Sequence, residues 1–123
     1  MLVYLGAGKD DTDDAVPWMV QKLATLRIFQ DDAGKMSRSV AEHGGALLVV
    51  SQFTLYGDVR KGRRPSFDGA APPERAQGLY EAVCSGLRAQ GLPVEMGRFR
   101  ASMQVHSEVA GPVTILVDSD RTF

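Results

Sequence analysis

Ser51-Gln52-Phe53-Thr54-Leu55 closes one apolar run, and Gly111-Pro112-Val113-Thr114 sets a bend before another. Hydroxyl, amide and aromatic groups at a strand end, joined by a rigid bend from elsewhere in the chain, can build a small polar pocket that holds no ionisable catalyst. Chemistry in such a pocket rests on positioning and on hydrogen bonds to a developing negative charge. A nucleophilic Thr54 would need a base beside it, and the sequence supplies none, so Thr54 is expected to hydrogen-bond within the pocket. Ser51 and Gln52 have a second reading as strand-end residues that satisfy backbone groups, and Phe53 has one as core.

Other constellations are missing. The histidines are His43, beside Gly44-Gly45, and His106, in an alternating segment, and neither is placed as the base of a Ser-His-Asp triad. There is no Cys/His spacing for zinc, no Walker loop and no Gly-x-Gly-x-x-Gly, so neither metal nor nucleotide cofactor is expected. Asp10, Asp11, Asp13 and Asp14 surround Thr12 without the spacing of a calcium loop, and they suit the start of a helix instead. Arg60, Lys61, Arg63 and Arg64 form a cationic run that reads either as a solvated loop or as a phosphate clamp.

These groups must be carried by alternating strands and helices. Leu2 to Leu5 reads as a buried strand, and Thr12 as a possible N-cap for a helix through Val16, Met19, Val20, Leu23 and Leu26. Asp31 to Gly34 reads as a turn. Ala46 to Val50 is continuously apolar, as a central strand covered on both faces would be. The clearest helix has Ala76, Leu79, Tyr80, Val83, Cys84 and Leu87 on one stripe, prolines at its start and Gly91 past its end. Cys84 in that stripe reads as a small buried hydrophobe. From Ala101 to Val109 the chain alternates as a half-exposed strand, and Val113 to Val117 reads as the last strand.

The order predicts an α/β fold: a single domain over residues 1–123 with a mixed or antiparallel sheet and two main helices. The 123 residues, 44% hydrophobic and 24% charged, suffice for one core. A protein that holds nucleic acid through a broad basic face usually shows a larger positive excess than the net charge of -1 here, so any RNA contact is expected to be local and modest. No apolar run reaches the ~18 residues of a bilayer span, and no membrane role is expected. One cysteine and no secretion signal point to the cytoplasm.

The ordered series Leu2-Val3, Arg27-Ile28-Phe29, Gly34-Lys35-Met36, Ser51 to Leu55, Gly62 to Phe67, Gly97-Arg98-Phe99, Met103 and Gly111 to Thr114 resembles the D-aminoacyl-tRNA deacylases along nearly the whole chain. The resemblance implies a barrel-like deacylase fold that dimerises, with each active site at the subunit interface. It implies hydrolysis of the ester of D-aminoacyl-tRNA, and of glycyl-tRNA, at the 3' end, with no cofactor. Ser51, Gln52, Phe53 and Thr54 would form the catalytic pocket, and Ala101 and Met103 would line it. Gly111 and Pro112 would reject L-amino acids as a Gly-cis-Pro filter inserted from the second subunit. Backbone N–H groups around Gln52, Phe53 and Thr54 would stabilise the oxyanion, while the 2'-hydroxyl of the terminal adenosine activates water. Arg60, Lys61, Arg63 and Arg64 would meet tRNA.

Three departures from the family pattern accompany the likeness. Family members carry a strand and hairpin before the segment matched here, and its Gln-Arg-Val stretch brings an arginine near the Gly-Pro turn. A sheet edge is then left for another segment or a second subunit to cover. Val109 stands where Asn is usual, and Arg100 where a small residue is usual. Two alternatives follow: a catalytically idle tRNA-binding or dimerisation relative, and a deacylase of altered stereochemistry.

Overall fold

The computed structural model describes residues 1–122. Its elements are β1 (Leu2–Leu5), α1 (Ala15–Thr25), β2 (Phe29–Gln30), β3 (Met36–Arg38), β4 (Leu47–Ser51), a 3₁₀ turn (Phe53–Tyr56), α2 (Pro73–Ala89) and β5 (Val94–Met96). The main sheet has the order β1-β4-β5 and both of its pairings are parallel, with Leu5 opposite Ser51 and Val49 opposite Met96. β2 and β3 form a separate antiparallel ribbon. The α/β class and the two main helices agree with the sequence. The sheet does not close into a barrel among the described residues.

The apolar run of β4 explains its central position, since both of its edges find partners. Leu47 and Val49 face the helices and are 1% and 0% exposed, in a core shared with Val20, Leu23, Val83 and Leu87. α1 and α2 approach closely: a Cβ at Gly86 would lie 2.7 Å from a Val20 methyl. The opposite face of the sheet is unevenly covered: Leu48 and Tyr4 are 37% and 44% exposed, while Val50, on the same face of β4, is 3% exposed.

α2 follows its sequence pattern. Leu79, Tyr80, Val83, Cys84 and Leu87 are its buried residues, and Pro73 opens it. It ends at Gly91, whose φ of 82° lets its N–H reach the Arg88 carbonyl and the Leu92 N–H reach that of Leu87. α1 begins later than a Thr12 cap would set it. Asp14 is its N-cap, without a side-chain bond, and Asp11 instead accepts from the Gly8 N–H at 2.8 Å.

The larger correction is the C-terminal segment. Neither Ala101 to Val109 nor Val113 to Val117 is a strand here. Alternation selects an extended chain, but a strand exists only through a neighbour that accepts its hydrogen bonds, and among the described residues none pairs with this segment. Arg100, at a φ of 62°, turns the chain into this tail, and the Gly111–Pro112 peptide within it is cis. Met103 and Val50 both crowd Gly97, where a Cβ would lie 3.3 Å from the Met103 sulfur and 3.5 Å from a Val50 methyl. The first part of the tail therefore crosses the open face of the sheet.

Candidate active site

Ser51 is the last residue of β4, and the chain leaves the sheet there. The Gln52 N–H makes one further ladder bond, 2.9 Å to the Leu5 carbonyl. Gln52 leaves the strand at φ -142° and ψ 86°, and the next four residues wind into the 3₁₀ turn. Gly6 makes the close approach possible, since a Cβ there would sit 3.2 Å from the Gln52 carbonyl oxygen and 3.1 Å from the Tyr56 ring. The Gln52 side-chain amide donates to the Thr54 hydroxyl. The turn closes with the Gly57 N–H on the Thr54 carbonyl at 3.0 Å.

Two consequences follow for the sequence-predicted residues. The Gln52 N–H is occupied by Leu5, so the turn's available backbone donors are Phe53 and Thr54. Both open a helical turn, where no preceding carbonyl faces them, and neither donates to backbone among the described residues. Phe53 is not core: it is 56% exposed, and its ring meets that of Phe67 edge-on at 4.9 Å. Thr54 is exposed, Ser51 and Gln52 half-buried.

The remaining sequence-predicted residues lie on the loop after the turn and on the C-terminal tail. Gly111 and Pro112 are exposed on the tail, and no hydrogen bond joins them to the turn among the described residues. Ala101 is half-buried and Met103 is 40% exposed. Arg60 pairs with Asp58 at 2.6 Å, while Lys61, Arg63 and Arg64 are exposed. His106 is on the surface, and His43 stacks on Phe29 at 4.6 Å. Burial raises the Cys84 thiol above its ordinary value, away from a thiolate.

Sequence reasoning missed Tyr56. It borders a hollow of about 70 Å³ between the end of β1, the N-terminal halves of both helices and the tail at Val117–Ser119, with Asp11 and Asp118 as its charged lining. Burial first, then Asp11, Asp118 and Asp120, push the Tyr56 phenol up to about 12. It is therefore neutral at physiological pH. A raised phenol means that the folded chain holds this proton more tightly than the unfolded one, so its contribution is complete below pH ~10 and is lost as the pH climbs toward 12. The urea midpoint should fall across that window, and Tyr56→Phe should flatten the fall. Burial also raises Tyr80, which will leave part of the slope in place.

Fold and turn together define a small α/β domain whose candidate site is polar, uncharged and open in a single chain. The family described as D-Tyr-tRNA(Tyr) deacylase matches residues 1–118, and the chain belongs to it. It is 61% identical, over its whole length, to the D-aminoacyl-tRNA deacylase of Anaeromyxobacter dehalogenans and 56% identical to that of Sorangium cellulosum, covering 83% of each. Among solved structures it is similar to one titled c-Myc DNA Unwinding Element Binding Protein, at 42% identity and a TM-score of 0.85, over 93% of this chain and 78% of that one.

Proposed function

We propose that two copies of this chain act as a D-aminoacyl-tRNA deacylase, cleaving the ester of D-aminoacyl-tRNA, and of glycyl-tRNA, to free amino acid and tRNA. The observation that carries the reading is the turn at the end of β4, which presents two uncommitted backbone N–H groups beside an exposed aromatic ring. An ester carbonyl placed on the Phe53 and Thr54 N–H groups becomes more electrophilic, and its oxyanion is stabilised as water attacks. Water is activated by the substrate's own terminal 2'-hydroxyl, so no protein base is required. Thr54 and Gln52 hold each other and position the ester rather than form a covalent intermediate.

The second copy completes the site. Phe53, Leu55, Met103, Val109, Ile115 and Leu116 are each at least 40% exposed, more large apolar surface than a solitary small domain ordinarily leaves in water. Gly111 and Pro112 of one copy enter the pocket of the other beside Ala101 and Met103, where their backbone occupies the space an L side chain would need. Family membership and the named deacylase relatives support this reading over the idle alternative.

Matched D- and L-aminoacyl-tRNA, with glycyl-tRNA as a third substrate, test it directly. Release of D-amino acid and glycine, sparing of the L ester, indifference to a chelator and a dimer in equilibrium sedimentation are expected. Binding without turnover on any of the three would leave only the idle relative, and turnover of the L ester would establish altered stereochemistry.

A further inference from the structure

Asp58 and Ser66 close a loop with paired backbone bonds: the Asp58 N–H donates to the Ser66 carbonyl at 2.7 Å, and the Ser66 N–H to the Asp58 carbonyl at 2.9 Å. The loop carries four exposed cations that are not equivalent. Arg60 donates from Nε to Asp58 Oδ1 at 2.9 Å and from Nη2 to Oδ2 at 2.6 Å, and its backbone N–H adds a third bond to Oδ1 at 2.9 Å. Lys61, Arg63 and Arg64 make no ion pair among the described residues.

The loop is also fastened to the candidate site. Phe67, the residue after the closing Ser66, sits against Phe53, and a Cβ at Gly57 would meet Phe67 at 3.2 Å and Pro65 at 3.7 Å. The groove beneath the loop is lined by Asp58 and Asp68 together with Arg60, Lys61 and Ser66. Two carboxylates make that groove a poor place for an anion. Arg63 and Arg64 lie outside it, and Lys61, on its wall, is exposed and free to turn its ammonium outward to solvent.

We infer that residues 59–65 form a divided phosphate clamp for the RNA backbone just 5' of the esterified end, with Lys61, Arg63 and Arg64 meeting phosphates and Arg60 fixing the loop to Asp58. The inference rests on the deacylase reading for the identity of the RNA. A chain of net charge -1 has no overall positive excess to hold a polyanion, so a local cluster of unpaired cations beside the site is the place for that attraction. The Arg60 tie also survives across working pH, because that arginine holds the Asp58 carboxyl down to about 2.

Binding of uncharged tRNA, followed by anisotropy between 50 and 200 mM salt as illustrative limits, tests the division. K61Q/R63Q/R64Q should weaken binding by roughly tenfold or more and reduce the salt slope by about two to three, since each lost phosphate contact removes about 0.7–0.9. R60Q should change the slope by less than about one. K9Q/K22Q/K35Q removes the same charge elsewhere and should leave the slope near that of the unaltered chain. Melting curves confirm that the variants remain folded. An unchanged slope in the loop triple, an equal loss in the lysine control, an R60Q slope loss as large as the triple's, or no tRNA binding by the unaltered chain would overturn the clamp. Turnover is measured in parallel: hydrolysis with an unchanged loop-triple slope removes the clamp and leaves the deacylase, whereas the expected slope pattern without hydrolysis removes the deacylase and leaves the clamp.

Discussion

Phe53→Pro should lower single-turnover hydrolysis of D-aminoacyl-tRNA by about 10²–10³ beyond the loss caused by Phe53→Ala. Alanine removes the ring and keeps the backbone N–H. Proline removes both, so the ratio of the two variants isolates the donor. The backbone suits the replacement: Phe53 is the first residue of its turn, where a missing N–H costs no internal bond, and Gln52 lies outside the α region that a following proline disfavours. The ratio should appear in the chemical step and not in tRNA affinity, because the donor acts on charge that develops only as water adds. Circular dichroism checks that the turn survives. Equal rates for the two variants would show that the Phe53 N–H does not touch the reacting oxygen, and Thr54 would remain as the lone backbone donor.

The parts of this molecule that were legible in the sequence are those whose pattern is local. The stripe from Leu79 to Leu87 is a single helix face, and its prolines and Gly91 mark ends that depend on backbone geometry alone. Ser51 to Thr54 could be placed at a strand end because the apolar run stops there. Four kinds of feature were harder to read. β5 is three residues long and β2 only two, too short for a period to register. The tail from Ala101 has the alternation of a strand, but pairing is a property of two segments, and sequence shows only one of them. Which donors are available was also hidden: that Gln52 gives its N–H to Leu5 depends on the parallel register of β1 with β4, and that Arg60 is tied depends on Asp58 folding back on it. Tyr56 gave no signal, since its surroundings come from both helices and from the tail.

Leu87→Ala should be among the most destabilising single changes in the chain, while Leu55→Ala should scarcely alter stability. The two residues lose the same atoms. Leu87 is 0% exposed, on the face of α2 that packs into the core with Leu47, Val94 and Leu92, whereas Leu55 is 56% exposed beside the candidate site. Truncation at Leu87 forfeits the transfer of a buried side chain and leaves a cavity that a sheet and two helices cannot readily collapse into, at a cost of about 2–5 kcal/mol. Against a total stability of roughly 5–15 kcal/mol, that is a large share. The melting temperature should drop by roughly 10–20 °C, and the urea midpoint should fall without a change of slope. Leu55→Ala removes little area buried within one chain and, at a concentration where copies are dissociated, should stay within about 0.5 kcal/mol. Measured on the same preparation, the pair separates apolar residues that hold the chain together from those left outside its core. A Leu55→Ala loss as large as that at Leu87 would mean that folding itself requires a partner surface over the site, and the α/β core would then not be sufficient for the fold.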